Sequence, residues 1–129
     1  MTPPVIYTKM LNEQGLLVRP DGSGRLHFKY EGNEYTLLTY VDDPQFVRSS
    51  ATYALPAGTR RPKAITEANG LTQCSKVAKV YLLPNRGVAI SAELFVTDPH
   101  HLEALLLRLI RLVQSVANDF FNRLTADSV

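Results

Sequence analysis

From Asp98 to about Leu124 the chain carries one long amphipathic stretch with no Gly or Pro after Pro99. That stretch limits what the rest can be. Asp98 can cap a helix, because its carboxylate can accept the free N–H groups of the first turn. Pro99 then sits at N1, where its missing N–H costs nothing. At ~100° per residue, Leu102, Leu105, Leu106, Leu109, Ile110, Leu112, Val113, Val116, Ala117, Phe120, Phe121 and Leu124 share one arc. Arg108, Arg111, Gln114, Ser115, Asn118, Asp119 and Asn122 take the other side. The arc spans roughly 180°, against the ~100° that is the lower bound for a surface helix. Such a helix can cover a sheet and still have apolar surface to spare. Its centre, Leu102, Leu106, Val113 and Phe120, is expected on the sheet. Leu105 and Leu112 fall on one margin, Ile110 and Phe121 on the other, and these four are the expected protein-interaction residues. The N-terminal segment, a second copy or another protein could cover the margins.

Upstream, the hydrophobic period changes three times. Thr2-Pro3-Pro4 is a helix start, with Ile6, Met10 and Leu11 at helical spacing and Gly15 as a stop. Leu26, Phe28 and Tyr30 alternate with polar residues, as in a half-buried strand. Gly32-Asn33 signals a hairpin. Tyr35 to Val41 and Phe46 to Leu55 read as further strands, the first of them central. Pro62 opens a short middle helix to about Asn69, with Gly70 at C′. Val77 to Leu83 and Val88 to Val96 are two more strands, joined by the loop Pro84-Asn85-Arg86-Gly87, where Gly87 can take positive φ. The expectation is one α+β domain over residues 1–129. An antiparallel sheet of about five strands lies under the long C-terminal helix, with short N-terminal and middle helices.

The 129 residues suffice for a core, and a formal net charge of +2 argues against a dedicated nucleic-acid binder. The N-terminus lacks the pattern of a signal peptide, and no apolar run reaches the ~18 residues of a membrane span. A lone Cys74 excludes an intrachain disulfide framework and fits a reducing compartment. A cytoplasmic protein with no nucleic-acid or membrane partner is expected. Residues 19–24 form a turn-rich break without the Lys-Ser/Thr pair of a P-loop. Asp42 and Asp43 read as turn carboxylates before Pro44. His100 and His101 are adjacent, so they do not share a helix face and make a poor chelating pair. Cys74 is expected to be a small buried thiol, inert in the native state. There is no nucleophile elbow and no dinucleotide fingerprint. The chain therefore reads as a non-enzyme, with no catalytic residues, no metal and no cofactor. One alternative site remains: Arg60, Arg61 and Lys63 at a helix N-terminus, where free N–H groups favour an anion.

Two stretches resemble a known family. One runs from Tyr30-Glu31-Gly32-Asn33-Glu34-Tyr35 to Asp42-Asp43-Pro44-Gln45-Phe46-Val47-Arg48. The other comprises Ala64-Ile65-Thr66-Glu67-Ala68-Asn69-Gly70, Lys76-Val77-Ala78-Lys79-Val80-Tyr81 and the Asn85-Arg86-Gly87-Val88 turn. With the closing amphipathic helix they are similar to the YbjN-like family, provisionally labelled bacterial sensory transduction regulators. The resemblance covers roughly residues 5–124. It implies a fold similar to type III secretion chaperones, with the order helix, three strands, helix, two or more strands, helix. Those chaperones are commonly dimers that bind an extended segment of another protein. The family has no established catalytic residues to carry over. The expected function is a non-enzymatic protein-binding module, regulatory or chaperone-like, with a protein partner and a homodimer as one way to cover the margin. The alternative is a small-ligand or anion sensor using the basic loop.

Overall fold

In the computed structural model, which describes residues 2–126, each change of period in the sequence becomes a change of element. Helix α1 (Pro3–Glu13) starts at Thr2, as the Pro3 signal requires, and buries Ile6, Tyr7, Met10 and Leu11. Strands β1 (Arg19–Pro20), β2 (Arg25–Tyr30), β3 (Asn33–Thr39) and β4 (Phe46–Ala54) follow. Helix α2 (Arg61–Cys74) leads to β5 (Ala78–Leu83) and β6 (Gly87–Phe95). A 3-10 turn (Pro99–Leu102) precedes helix α3 (Leu106–Thr125). The six strands form one antiparallel sheet in the order β1-β2-β3-β4-β6-β5. The sixth strand is β1, too short to show a period in the sequence, with Arg19 opposite His27 and Pro20 opposite Leu26.

The core lies between one face of this sheet and the helices. Leu26 and Phe28 of β2, Tyr35 and Leu37 of β3, Val47 of β4 and Ile90 of β6 are all buried there. Their partners across the ladder keep the same face: Leu26 lies opposite Leu37, Phe28 opposite Tyr35, and Ala51 opposite Ile90. From α3, Leu106, Val113 and Phe120 close the layer, and each is 1% exposed or less. α2 packs along the outer edge of β5. There the Thr72 hydroxyl accepts from Val80 N at 2.8 Å and donates to Val80 O at 3.2 Å. These bonds cover the edge backbone groups that would otherwise invite another strand.

Two helix boundaries differ from the sequence reading. The expected single helix from Asp98 is broken. Asp98 does cap, accepting from His100 N at 3.0 Å, but the turn it starts is 3-10 and ends at Leu102. That turn packs against α1 with Leu102 fully buried, and α3 starts afresh at Leu106. Burial of Leu102 outweighs the local preference for one straight helix, a tertiary override that periodicity does not record. Gly70 does not end α2; the helix continues to Cys74. Leu71 is 2% exposed, and its burial at ~1.5–3 kcal/mol offsets the ~1 kcal/mol cost of a helical glycine.

Candidate functional site

The two margins of α3 have different fates. On one, Ile110 is fully buried and Phe121 is half-buried, its ring edge-on to Tyr53 of β4 at 5.5 Å. Along the same side, Arg111 donates to the Tyr30 hydroxyl at 3.1 Å, which strengthens the hold of Arg111 on its proton. Gln114 donates to Glu31 at 2.8 Å. The β2–β3 hairpin and β4 thus close this margin. Ile110 belongs to the core, a correction to its reading as an interaction residue. Helical angle alone does not show that the sheet reaches far enough to cover it.

The other margin is open. Leu105 is 42% exposed and Leu112 is half-buried. With Leu109, Leu94 of β6 and Val77 they line a groove of about 530 Å³, rimmed by Lys76, Arg108 and Arg111. Among the described residues, no acidic residue lines it. Among the described residues, Lys76 and Arg108 make no ion pair. The backbone of Val77 has φ +67°, and its side chain is 56% exposed. A β-branched residue in the left-handed region is an outlier that the surrounding structure must enforce. Here β6 holds it, with Glu93 N donating to Val77 O at 3.5 Å. The sequence placed Leu105 and Leu112 on this margin but gave no sign that Val77, Leu94, Lys76 and Arg108 lie beside them. They come from three places, the α2–β5 connection (Lys76, Val77), β6 (Leu94) and α3 (Arg108), which only the tertiary fold brings together.

The basic loop is arranged differently. Arg60 is exposed at the N-cap of α2, Lys63 is half-buried, and the Arg61 guanidinium donates to Leu83 O at 3.3 Å. Arg86 comes from the β5–β6 loop and donates to Pro56 O at 2.7 Å and Thr59 O at 3.0 Å. Arg61 and Arg86 thus tie loops together. Cys74 is exposed, against its expected burial. Because α2 runs past Gly70, Cys74 falls one turn beyond Leu71, past the buried stripe of Ala64, Ala68 and Leu71. Among the described residues, no group of three His, Cys, Asp or Glu side chains could hold a metal ion. His100 and His101 turn to Asp98 and Thr97, at 2.9 and 3.0 Å. No helix of the described residues is long and apolar enough to cross a membrane.

The far face of the sheet carries an aromatic shelf. The Phe46 ring lies tilted at 5.3 Å from both Tyr40 and Phe95, Arg48 sits 5.9 Å from the Tyr40 and Phe46 rings, and Phe95 is 73% exposed. Arg48 and Lys79 both pair with Glu93.

An open antiparallel sheet with helices on one face and a groove beside the last of them is an α+β fold of the type III secretion chaperone kind. The chain shares this fold with YbjN from E. coli, provisionally described as a transcription regulator (TM-score 0.67, 10% identity, 90% of this chain and 87% of that one). It is also similar to the type III secretion chaperone SycH of Yersinia pestis, in complex with a fragment of YscM2 (TM-score 0.56, 14% identity, 89% and 99%). A third similar structure is the chaperone SchA with the effector HopA1 (TM-score 0.60, 7% identity, 87% and 93%). At such identities the likeness establishes the fold. No family model matches the sequence, and no curated protein matches it.

Proposed function

We propose that this protein is a non-enzymatic binding module, chaperone-like or regulatory, that holds a segment of another protein in the groove beside α3. The observation that carries the reading is the open margin itself. Leu105, Leu112 and Val77 leave apolar surface in one concave place, where a packed protein segment would remove it from water. The fold likeness supports it, since SycH and SchA were each captured with a protein partner. Phe121, half-buried against Tyr53, is at most a peripheral contact.

The test is affinity capture from a native lysate with three baits: the wild-type chain, Leu112→Asp, and Thr52→Lys on the far face of the sheet. A partner held by wild type and Thr52→Lys but lost from Leu112→Asp supports the reading. A partner lost only from Thr52→Lys moves the site to the far face and overturns it.

A further inference from the structure

The groove beside α3 combines exposed Leu105 and half-buried Leu112 with two cations that make no ion pair among the described residues. Lys76, Arg108 and Arg111 rim it, and among the described residues no carboxylate lines it. Lys76 and Arg108 make no ion pair among the described residues. Arg111 is partly committed to Tyr30. From the rim, two long cationic side chains can reach over an apolar floor. A purely apolar segment would shield those charges from water without pairing them, which is unfavourable. We infer that the groove recognises a short segment of another protein that combines apolar anchors with acidic side chains. This inference rests on the protein-binding reading above and names the chemistry of its partner.

Three features support that occupant. The first is length. From Leu105 to Leu112 the helix rises about 10 Å, room for roughly two turns of helix or three residues of strand. A segment with two or three apolar anchors fits that span, with acidic residues flanking them. The second is symmetry. Two copies facing each other through this groove would form an isologous contact that gathers both sets of Lys76 and Arg108, with no carboxylate lining the groove among the described residues. Like charges held together in that way disfavour a second copy as occupant. The third is Val77. Its backbone is held in the left-handed region while its side chain stands exposed at the lip of the groove. The fold thus presents an apolar contact from a strained position, and such positions cluster where ligands are gripped.

The experiment is selection from a random 16-residue peptide library displayed on phage, using the full chain as bait. Wild type should enrich peptides with Leu, Ile or Phe at i, i+3 or i+4, and i+7, flanked by Asp or Glu. A synthetic peptide of that consensus should bind in fluorescence anisotropy. The double variant Lys76→Glu/Arg108→Glu should weaken it at least tenfold, with the loss shrinking as salt rises. The same variant should instead enrich peptides flanked by Lys or Arg. Both substituted residues are exposed, so the fold should be kept, as circular dichroism would verify. Val77→Gly gives a second readout: weaker peptide binding on a chain that is more stable than wild type. Peptides that are lost with Leu105→Asp yet carry no acidic bias would overturn the inference and leave the binding module standing. Enrichment indifferent to Leu105→Asp, or no enrichment at all, would defeat both. A dimer in light scattering that Leu105→Asp dissociates would assign the groove to a second copy and overturn the acidic partner.

Discussion

Val77 and Tyr7 are held where an unconstrained chain would not place them, and each makes a separable prediction. Relieving the strain of Val77 with Val77→Gly recovers ~1–3 kcal/mol, less the ~1 kcal/mol of extra chain entropy that glycine loses on folding. Urea unfolding should show a net gain of about 1 kcal/mol. An unchanged or lower midpoint would mean that the backbone there is not strained. Tyr7 is 1% exposed, and its hydroxyl has no hydrogen-bond partner among the described residues. Burial, with Asp98 nearby, pushes its pKa up to about 12 from 10.0. Tyr35 is also pushed up to about 12, by burial and Tyr53. A raised folded pKa gives stability that is complete below pH 10 and is lost as pH rises from there towards 12. The urea midpoint should therefore hold from pH 8 to 10 and fall by pH 11.5. Tyr7→Phe removes an unpaired buried hydroxyl, so it should be neutral or stabilising by up to ~1 kcal/mol at pH 8 and should flatten the alkaline decline. At this scale the sequence was only partly legible. Which residue takes positive φ in a turn depends on the register of the flanking strands. The β5–β6 loop puts Asn85 and Arg86 there, not Gly87. Gly87 serves instead for close approach, since a Cβ would lie 3.2 Å from that of Leu83. Likewise the β2–β3 turn is made by Glu31 and Gly32, and Asn33 pairs with Tyr30.

Elements were more legible than their ends. The alternation of β2 and the Pro3 start of α1 carry their own structure, because period and capping are local. Gly70 resembles a helix stop, whereas the force that continues α2, burial of Leu71 with Thr72 bonded to β5, lies outside the local sequence. Gly70 is therefore an interior helical residue. A Cβ there would meet only the Arg123 guanidinium, at 3.4 Å, an ordinary contact with a flexible side chain. Gly70→Ala should raise stability by ~0.5–1 kcal/mol in urea unfolding, since it removes the entropy cost of a mid-helix glycine. A loss would show that the Arg123 contact is tighter than its geometry implies. Thr72→Val should act in the opposite direction. It strips both hydrogen bonds from Val80 while keeping the shape, costing ~1 kcal/mol and uncovering the β5 edge. Faster aggregation at equal temperature, followed by turbidity, is the expected sign.

For the whole molecule, the sequence shows that α3 has more apolar surface than a sheet needs, and the fold decides where the surplus goes. The β2–β3 hairpin and β4 absorb the Ile110 side, while the Leu105–Leu112 side meets only the end of β6 and the α2–β5 connection. No local pattern could choose between the margins, because both are equally apolar and the choice depends on how the sheet is tilted under the helix. Two substitutions one residue apart therefore have different consequences. Val113 is fully buried at the centre of the arc. Val113→Lys places an ammonium with no partner in the core, a change that should exceed ~4 kcal/mol and leave the chain largely unfolded at neutral pH. Leu112 lines the groove, and its neighbours Arg108 and Arg111 already hold their charges in water. Leu112→Lys lets the new ammonium snorkel out beside them, so it should cost no more than ~1–1.5 kcal/mol and leave circular dichroism unchanged. Partner binding should nevertheless fall at least tenfold, ~1.4 kcal/mol, because one anchor site is lost. Thermal unfolding by circular dichroism and peptide anisotropy, run on both variants, separate the two effects. If Leu112→Lys unfolds the protein as Val113→Lys does, that margin is core and the groove is not a docking surface. If it stays folded and binds as wild type does, recognition lies elsewhere on the molecule, and the aromatic shelf of Tyr40, Phe46 and Phe95 becomes the surface to mutate next.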